Sequence, residues 1–423
     1  MDLYGELEWR GLVYDATEGV RDVLARERLT GYIGFDPTAK SLHVGSLLVM
    51  MALAHMQRHG HSPIALVGGG TGMIGDPSGK TAERQLLTLE QVQANVEGIR
   101  AQLGRFLDFD AARTNRAQLL DNAEWLTRLS AIDFMRDVGK HFTVNGMLAK
   151  ESVKRRIESE EGISYTEFSY TLLQAYDYLV LHDRLSCTLQ MGGSDQWGNI
   201  TAGMDLIRRV RGKKAHGLVL PLVTTSAGTK FGKTEAGTIW LDPELTSPYE
   251  FYQFWLNTDD RDAVKYLKFF TFLDSTRIAE LEAAGTREPE KRHPQRVLAQ
   301  EVTRLVHGDE AVRDAEAAAA KLFGGDLSAM SVRELLDVFG NVPSTVVGHE
   351  PEGWRLVNLL TDVGLTSSNS EATRLIRNGG IYVNERRITD EKERLRAEQA
   401  IEGQLFVVRK GKKDNFLIRI ARG

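Results

Sequence analysis

The sequence predicts an α/β protein with two further parts behind the sheet. Three observations carry this. From residue 30 to about 220, short apolar runs alternate with amphipathic segments of helical period, the pattern of a parallel sheet with crossover helices. From Ser247 onward only the helical period remains, until Phe323-Gly324-Gly325 stops it. The last seventy residues are basic and again mix both periods. The expected architecture is a doubly wound, Rossmann-like parallel-sheet domain, an α-helical domain and a small α+β domain. A chain of 423 residues is long enough for all three.

The elements follow in order. Strands are expected at Thr30–Phe35, Ser62–Val67, 184–191 and 218–224. Helices are expected at Leu47–Arg58, 89–107, 123–129, 165–182 and 200–210. The helical part reads as Pro248–Leu256, 261–270, 275–284, His293–His307 and 310–322. Pro343 and Pro351 punctuate a short ordered piece plus linker. The domain boundaries are set at 1–223 for the sheet domain and 224–246 for a loop and connection. They continue with 247–325 for the helical domain, 326–352 for the linker and 353–423 for the terminal domain.

Composition is ordinary, with 42% hydrophobic and 26% charged residues. The lone Cys187 excludes an intrachain disulfide and a cysteine-cluster metal site. It sits in an apolar run and reads as a buried, inert thiol, which suits a reducing cytosol. Met1 to Arg10 has no basic stretch followed by an apolar run, so no leader peptide is expected. No apolar run reaches membrane-spanning length. Net charge is −5, which argues against indiscriminate nucleic-acid binding. Residues 354–423, however, hold 14 basic against 9 acidic residues, which leaves the rest of the chain at −10. A basic tail on an acidic body suits a polyanionic partner.

Two distant segments carry the chemistry. Tyr32-Ile33-Gly34-Phe35-Asp36-Pro37-Thr38 runs on through Leu42 into His43-Val44-Gly45-Ser46. It reads as a strand, a sharp turn and a helix opening near His43, where unpaired amides would offer an anion site. Lys230-Phe231-Gly232-Lys233-Thr234 lies between turn residues and reads as a mobile cationic flap. Together they suit a nucleoside triphosphate whose charge is held while one phosphate reacts. A capping histidine and a solvated lysine loop are the plainer alternatives.

Residues 68–81 are glycine-rich. Gly70-x-Gly72-x-x-Gly75 fits a dinucleotide fingerprint literally, but Asp76-Pro77-Ser78-Gly79 interrupts where a helix should open. Gly79-Lys80-Thr81 imitates the end of a P-loop, but Ile74 occupies the position that needs glycine. What remains is a backbone that approaches a ligand or takes positive φ, with Asp76, Lys80 and Arg84 at the pocket edge. Farther on, Tyr170, Gln174 and Asp177 fall at i, i+4 and i+7, on one helix face. They read as a pocket wall for a small polar ligand, or else as a solvated face. Ser194-Asp195-Gln196 follows a strand end, where Asp195 suits ribose hydroxyls and Gln196 a carboxylate or phosphate; simple helix capping is the alternative.

In these residues the chain resembles the bacterial tyrosyl-tRNA synthetases, class I aminoacyl-tRNA synthetases, over nearly its whole length. The resemblance implies formation of tyrosyl-adenylate from L-tyrosine and ATP, with Mg2+ accompanying ATP, followed by transfer to the terminal ribose of tRNA(Tyr). It implies a cytoplasmic homodimer joined through the α/β domain, with no bound prosthetic group and no resident protein-bound metal. Tyr32 and Asp177 would hold the substrate phenol, and Asp76, Tyr170 and Gln174 its ammonium group. Gln196 would lie near the reacting carboxylate. Asp36 would lie beside the nucleotide, Asp195 on the ribose and Gly45 under the adenine. Thr38 and His43 would hold the phosphates in the transition state. Lys80, Arg84, Lys230, Lys233 and Thr234 would clamp pyrophosphate. Ser46 stands where the family usually has a second histidine; it is kept in the nucleotide site, without that residue's charge.

The terminal domain resembles the small RNA-binding fold of the ribosomal-protein-S-four type. The resemblance makes Arg374, Arg377, Arg386, Arg387, Lys410, Lys412 and Lys413 the expected tRNA-binding surface, through phosphates and shape more than base edges. Two rivals remain at this stage. A tryptophan-specific relative would waste the phenol-pairing groups Tyr32 and Asp177. An RNA-binding protein with an inactive nucleotide fold would have no use for the two flap lysines.

Overall fold

The computed structural model describes residues 1–78, 87–158, 162–226, 228, 231–234, 237–323, 327, 330–339, 342–411 and 414–421. Contacts divide the chain into two compact units, Met1–Leu245 with Trp255–Val306, and Thr246–Phe254 with His307–Gly423.

The first unit is built on a six-stranded sheet. Its strands are β1 (Asp15–Ala16), β2 (Thr30–Phe35), β3 (Ser62–Val67), β4 (Gln118–Asp121), β5 (Cys187–Gly193) and β6 (His216–Leu220), in the order β1-β6-β5-β2-β3-β4. All neighbours are parallel except the edge pair β1–β6. The chain builds outward from β2 to β4, then crosses back and builds from β5 to β6. The strand order therefore reverses between β2 and β5, and a crevice opens there at the carboxyl ends.

The helices of this unit are α1 (Leu3–Arg10), α2 (Val20–Arg26), α3 (Leu47–Arg58), α4 (Leu89–Leu103), α5 (Ala123–Leu126), α6 (Ala131–Asp133), α7 (Val144–Leu148), α8 (Glu151–Ile157), α9 (Tyr165–Leu185) and α10 (Trp197–Arg211). Helix α3 is apolar nearly all round and is buried along almost its whole length, as such a sequence requires. It packs so closely on β2 that a Cβ at Gly31 would lie 2.7 Å from Met56 Cε. Helices α9 and α10 pack together, where a Cβ at Gly203 would meet the Tyr178 ring at 2.8 Å. Helix α9 outruns its expected end by three residues, so β5 begins at Cys187 and not at 184. Ser186, in the left-handed conformation at φ 51°, is what stops the helix. Cys187 is buried, as expected, and burial pushes its thiol up to about 12.

A two-residue hairpin, β7 (Lys233–Thr234) and β8 (Gly237–Thr238), precedes helices α11 (Pro248–Leu256), α12 (Asp260–Phe270), α13 (Ser275–Arg287) and α14 (His293–His307). Beyond them lie α15 (Asp309–Phe323) and α16 (Val332–Val338). The second unit holds a five-stranded sheet of β9 (Ser344–Val347), β11 (Ile381–Val383), β12 (Arg386–Ile388), β14 (Leu405–Lys410) and β15 (Asp414–Ile420), in the order β12-β11-β14-β15-β9. Strands β10 (Trp354–Arg355) and β13 (Arg394–Leu395) form a separate pair. Helices α17 (Leu356–Asp362) and α18 (Asn369–Arg377) cover the sheet through Leu356, Leu360 and Ile376. The stretch 326–352, expected as a short ordered piece plus linker, is ordered in two places of its described part. It supplies α16 and strand β9, which pairs in parallel with β15.

Candidate active site

The crevice at the β2/β5 reversal is a cavity of about 660 Å³. It brings together residues from five separate stretches: Tyr32, Asp36, Thr38, His43, Gly45 and Ser46; Asp76; Tyr170, Gln174 and Asp177; Asp195 and Gln196; and Phe231. Every expected tyrosine-binding residue lines it. Lys80, Arg84 and Lys230 lie outside the described residues, and for Lys233 and Thr234 only the backbone, in β7, is described.

At the deep end sits the Asp177 carboxylate, 2% exposed. It accepts hydrogen bonds from Asn122 Nδ2 at 2.8 Å and Trp125 Nε1 at 2.7 Å. Burial, working against these two donors, pushes its pKa up to about 7. Beside it, Tyr32 is 1% exposed and packs edge-on against Tyr178. Burial, and then the Asp177 charge, raise its hydroxyl well above the ordinary phenol value. That hydroxyl has no hydrogen-bond partner among the described residues, and neither has Gln190 Oε1, which lines the same cavity. Buried polar atoms left unpaired cost about 1–3 kcal/mol each. Two of them beside a desolvated carboxylate make a place for a ligand hydroxyl.

Sequence reasoning missed Asn122, Trp125 and Gln190. The first two follow β4, a four-residue strand with no periodic pattern to announce it. Gln190 carried a signal, since an amide in the middle of an apolar strand needs a reason to be buried.

A hydrogen-bonded chain runs outward from Asp177. Asn122 Nδ2 also donates to Thr71 Oγ1 (3.0 Å), and Thr71 donates to Asp36 Oδ1 (2.9 Å). Tyr170 donates its hydroxyl to Asp36 Oδ2 (2.9 Å), which turns its own lone pairs toward any incoming donor. Glycine is required where this chain meets the loop after β3. A Cβ at Gly69 would lie 2.2 Å from Asp121 Oδ1, and one at Gly68 would lie 2.3 Å from Asp36 Oδ1. Nearby, Gln196 Nε2 donates to Asp76 Oδ2 (2.7 Å) and Gln196 Oε1 accepts from Gln174 Nε2 (3.2 Å). Asn199, buried and also missed, braces the pair by donating to Gln196 Oε1 (3.2 Å). Asp76, Gln174 and Tyr170 all line this part of the cavity.

The open end differs from expectation at the start of α3. The amides there are not free for an anion. Val44 N–H donates to Ile239 O (3.1 Å), Gly45 N–H to His43 Nδ1 (3.0 Å) and Ser46 N–H to His43 O (2.8 Å). The nearby chain has taken the donors that an isolated helix start would offer. The His43 imidazole, accepting Gly45 N–H at Nδ1, thus ties down the start of the helix. The flap too is held at one point. Phe231 is buried against Trp255, Tyr266 and Phe270, and stacks on Phe270 at 5.4 Å. Asp195 is exposed at the cavity edge.

In the second unit, four of the seven expected RNA-binding side chains already have partners. Arg377 pairs with Glu391 (2.6 Å), Arg386 with Glu393 and Lys410 with Glu371 (3.1 Å). Arg387 donates to Gly379 O (3.0 Å). Arg374 is exposed and lines a cleft between α17 and α18 with Arg355, Asn358 and Asn369. Lys412 and Lys413 lie outside the described residues.

The comparisons with known proteins agree with this geometry. The family described as tRNA synthetases class I (W and Y) matches residues 24–324, and a tyrosine–tRNA ligase C-terminal domain matches residues 334–418. The tyrosine–tRNA ligase of Roseiflexus castenholzii is 57% identical over 98% of both chains, and that of Bacillus caldotenax is 55% identical over the whole of both. Among solved structures, a truncated mitochondrial tyrosyl-tRNA synthetase of Aspergillus nidulans superposes with a TM-score of 0.67 at 32% identity. It covers 76% of this chain and 94% of its own. The chain belongs to the class I tRNA synthetases, in the tyrosine–tRNA ligase family.

Proposed function

We propose that this tyrosine–tRNA ligase binds both substrates of activation in the 660 Å³ cavity, with tyrosine at the deep end and ATP at the open end. The observation that carries the reading is the buried, unpartnered Tyr32 hydroxyl beside the desolvated Asp177 carboxylate. A substrate phenol would donate to Asp177 and accept from Tyr32. Its ammonium would meet Asp76, Gln174 and Tyr170, and its carboxylate would lie by Gln196.

The carboxylate oxygen then attacks the α-phosphorus, and pyrophosphate leaves with the electron pair of the broken P–O bond. No residue need become covalently attached. The protein's part is to place two anions in line and to stabilise the charge that moves onto the phosphates. His43 and Thr38 would serve there, with Lys80, Arg84, Lys230, Lys233 and Thr234 on the pyrophosphate. Asp36, Gly45, Ser46 and Asp195 would hold the nucleoside, with ATP entering as its Mg2+ complex. In the second step a terminal ribose hydroxyl of tRNA(Tyr) attacks the tyrosyl carbonyl and AMP leaves. The basic face of the second unit would hold the tRNA, exchanging its weak, solvent-screened surface ion pairs for phosphates.

Self-association through the first unit is part of the same reading. Its support is a cluster of exposed apolar side chains between residues 131 and 165, including Ile132 at 74%, Val144 at 61% and Tyr165 at 67% exposure. A cytoplasmic location is also proposed; no helix among the described residues is long and apolar enough to cross a membrane.

The test is amino-acid discrimination in ATP–pyrophosphate exchange. Tyr32→Phe removes one partner of the phenol and leaves Asp177 to accept, so the preference for tyrosine over phenylalanine in kcat/KM should fall by about tenfold. An unchanged ratio would show that Tyr32 does not read the phenol.

A further inference from the structure

One half-buried cation, Lys150, has no part in the activation chemistry proposed for the cavity. It is the N-cap residue of α8. Its Nζ donates to Thr171 Oγ1 at 3.1 Å and to the main-chain oxygen of Gly198. Among the described residues no carboxylate pairs with it; Asp205 is the one acid whose charge bears on it, and burial pulls its pKa down to about 8. An ammonium withdrawn from water without a counter-charge is costly. It is also placed by the first turn of α10, the end where the helix dipole disfavours a cation. An apolar residue of the same length would avoid both penalties.

Its two acceptors suggest why the ammonium is there. Thr171 is 5% exposed and follows Tyr170 directly, one turn before Gln174 on α9. Gly198 lies two residues past Gln196 and directly before Asn199 on α10. The close approach of Gly203 to Tyr178 sets the spacing of the two helices farther along. At the site end, Lys150 bridges them. The polar contacts that shape the amino-acid subsite, Gln174 to Gln196 (3.2 Å) and Gln196 to Asp76 (2.7 Å), lie across that same junction.

We propose that Lys150 is a positioning residue for tyrosine activation: by bridging Thr171 and Gly198 it sets the separation of α9 and α10, and so the geometry of Gln174, Gln196 and Asp76. The inference rests on reading those three as the groups that receive the amino acid's ammonium and carboxylate. Without the bridge the subsite loosens, while the nucleotide end keeps the contacts built on the β2–α3 segment and is disturbed only at Asp195, beside Gln196.

The experiment measures steady-state pyrophosphate exchange on the full chain. Lys150→Met, which keeps the stem and removes the charge, should raise KM for tyrosine about tenfold and leave KM for ATP within about twofold. Thr171→Val, of nearly the same shape, should raise KM for tyrosine by a smaller factor and carries the test if Lys150→Met does not fold. The double variant should show less than the product of the two single effects, because both remove one bridge. A lowered melting temperature with unchanged KM for tyrosine in both variants would make Lys150 a purely structural residue and overturn the inference. Equal losses for tyrosine and ATP would overturn it too. Gln196→Ala, measured alongside, separates the two levels. If it raises KM for tyrosine and Lys150→Met does not, only the role of Lys150 fails. If it changes nothing, the reading of the subsite fails.

Discussion

On the proposed reading, Asp177 serves recognition at a cost to stability. Its carboxyl is raised from 3.8 to about 7 because burial outweighs the two N–H donors that favour the ionised form. The folded chain therefore holds this proton more tightly than the unfolded chain does. The stability contributed is full below about pH 4 and is lost as pH rises through about 7. The same ionisation readies the carboxylate to accept the substrate phenol. KM for tyrosine is expected to fall as pH rises through about 7, and Asp177→Asn should abolish that limb. The Asn variant should also lose the wild-type drop in melting temperature between about pH 4 and pH 7. Kinetics and thermal melts across that range check both statements; a wild-type KM independent of pH would show that the ionised form is not required.

Among the elements, the join between the β7–β8 hairpin and the start of α3 matters most for activity. Leu241 N–H donates to Leu42 O (2.9 Å), Val44 N–H to Ile239 O (3.1 Å) and Ile239 N–H to Gly232 O (3.1 Å). The segment that carries the flap is thereby laced to the segment that carries His43. Gly232 is the tight point of the join: its φ is 80°, and a Cβ there would lie 2.5 Å from Val44 Cγ2. A side chain would strain the backbone and push Val44, and His43 with it, out of place. Gly232→Ala is expected to lower kcat for activation on the order of a hundredfold. Tyrosine affinity should change little, because Tyr32 and Asp177 lie on β2 and α9. Pre-steady-state adenylate formation with equilibrium tyrosine binding checks this, and comparable losses in both would mean that the join serves folding.

On the scale of the whole molecule, the apolar side chains exposed between residues 131 and 165 ask for a cover. They include residues of α6, α7, α8 and the start of α9, the last two joined by the buried Arg156–Glu167 ion pair (2.9 Å), at 1% and 4% exposure. An apolar face braced in this way suits a second copy of the chain better than a loose segment would. Replacing Tyr165 with Asp would bury a charge in each half of a symmetric contact. Tyr165→Asp should weaken self-association by at least about a hundredfold, read by sedimentation equilibrium. A wild-type chain that sediments as a monomer, or a variant that associates as well as wild type, would refute the proposed dimer.

Much of the scaffold was legible in the sequence because its signals are local. β2, β3 and α3 lie where apolar period and turn residues put them, since Asp36-Pro37, His59-Gly60 and the glycines after Val67 end each run chemically. The residues expected to bind tyrosine were named through a resemblance carried by ordered short motifs, and all of them line one cavity. Local signals ended where an element is too short to show a period. β4 has four residues, and with it went Asn122 and Trp125. Tertiary structure alone decided the partners. The Asn122–Asp177 bond joins residues 55 apart in the chain. The amides at the start of α3 are taken by a carbonyl nearly two hundred residues away and by a neighbouring imidazole. Three of the seven basic side chains expected to meet RNA are paired with carboxylates of the same unit. Charge, period and caps belong to a segment, but hydrogen bonds and burial belong to whatever the fold brings next to it, and so the sequence named the groups and the folded chain determined which of them remain free to act.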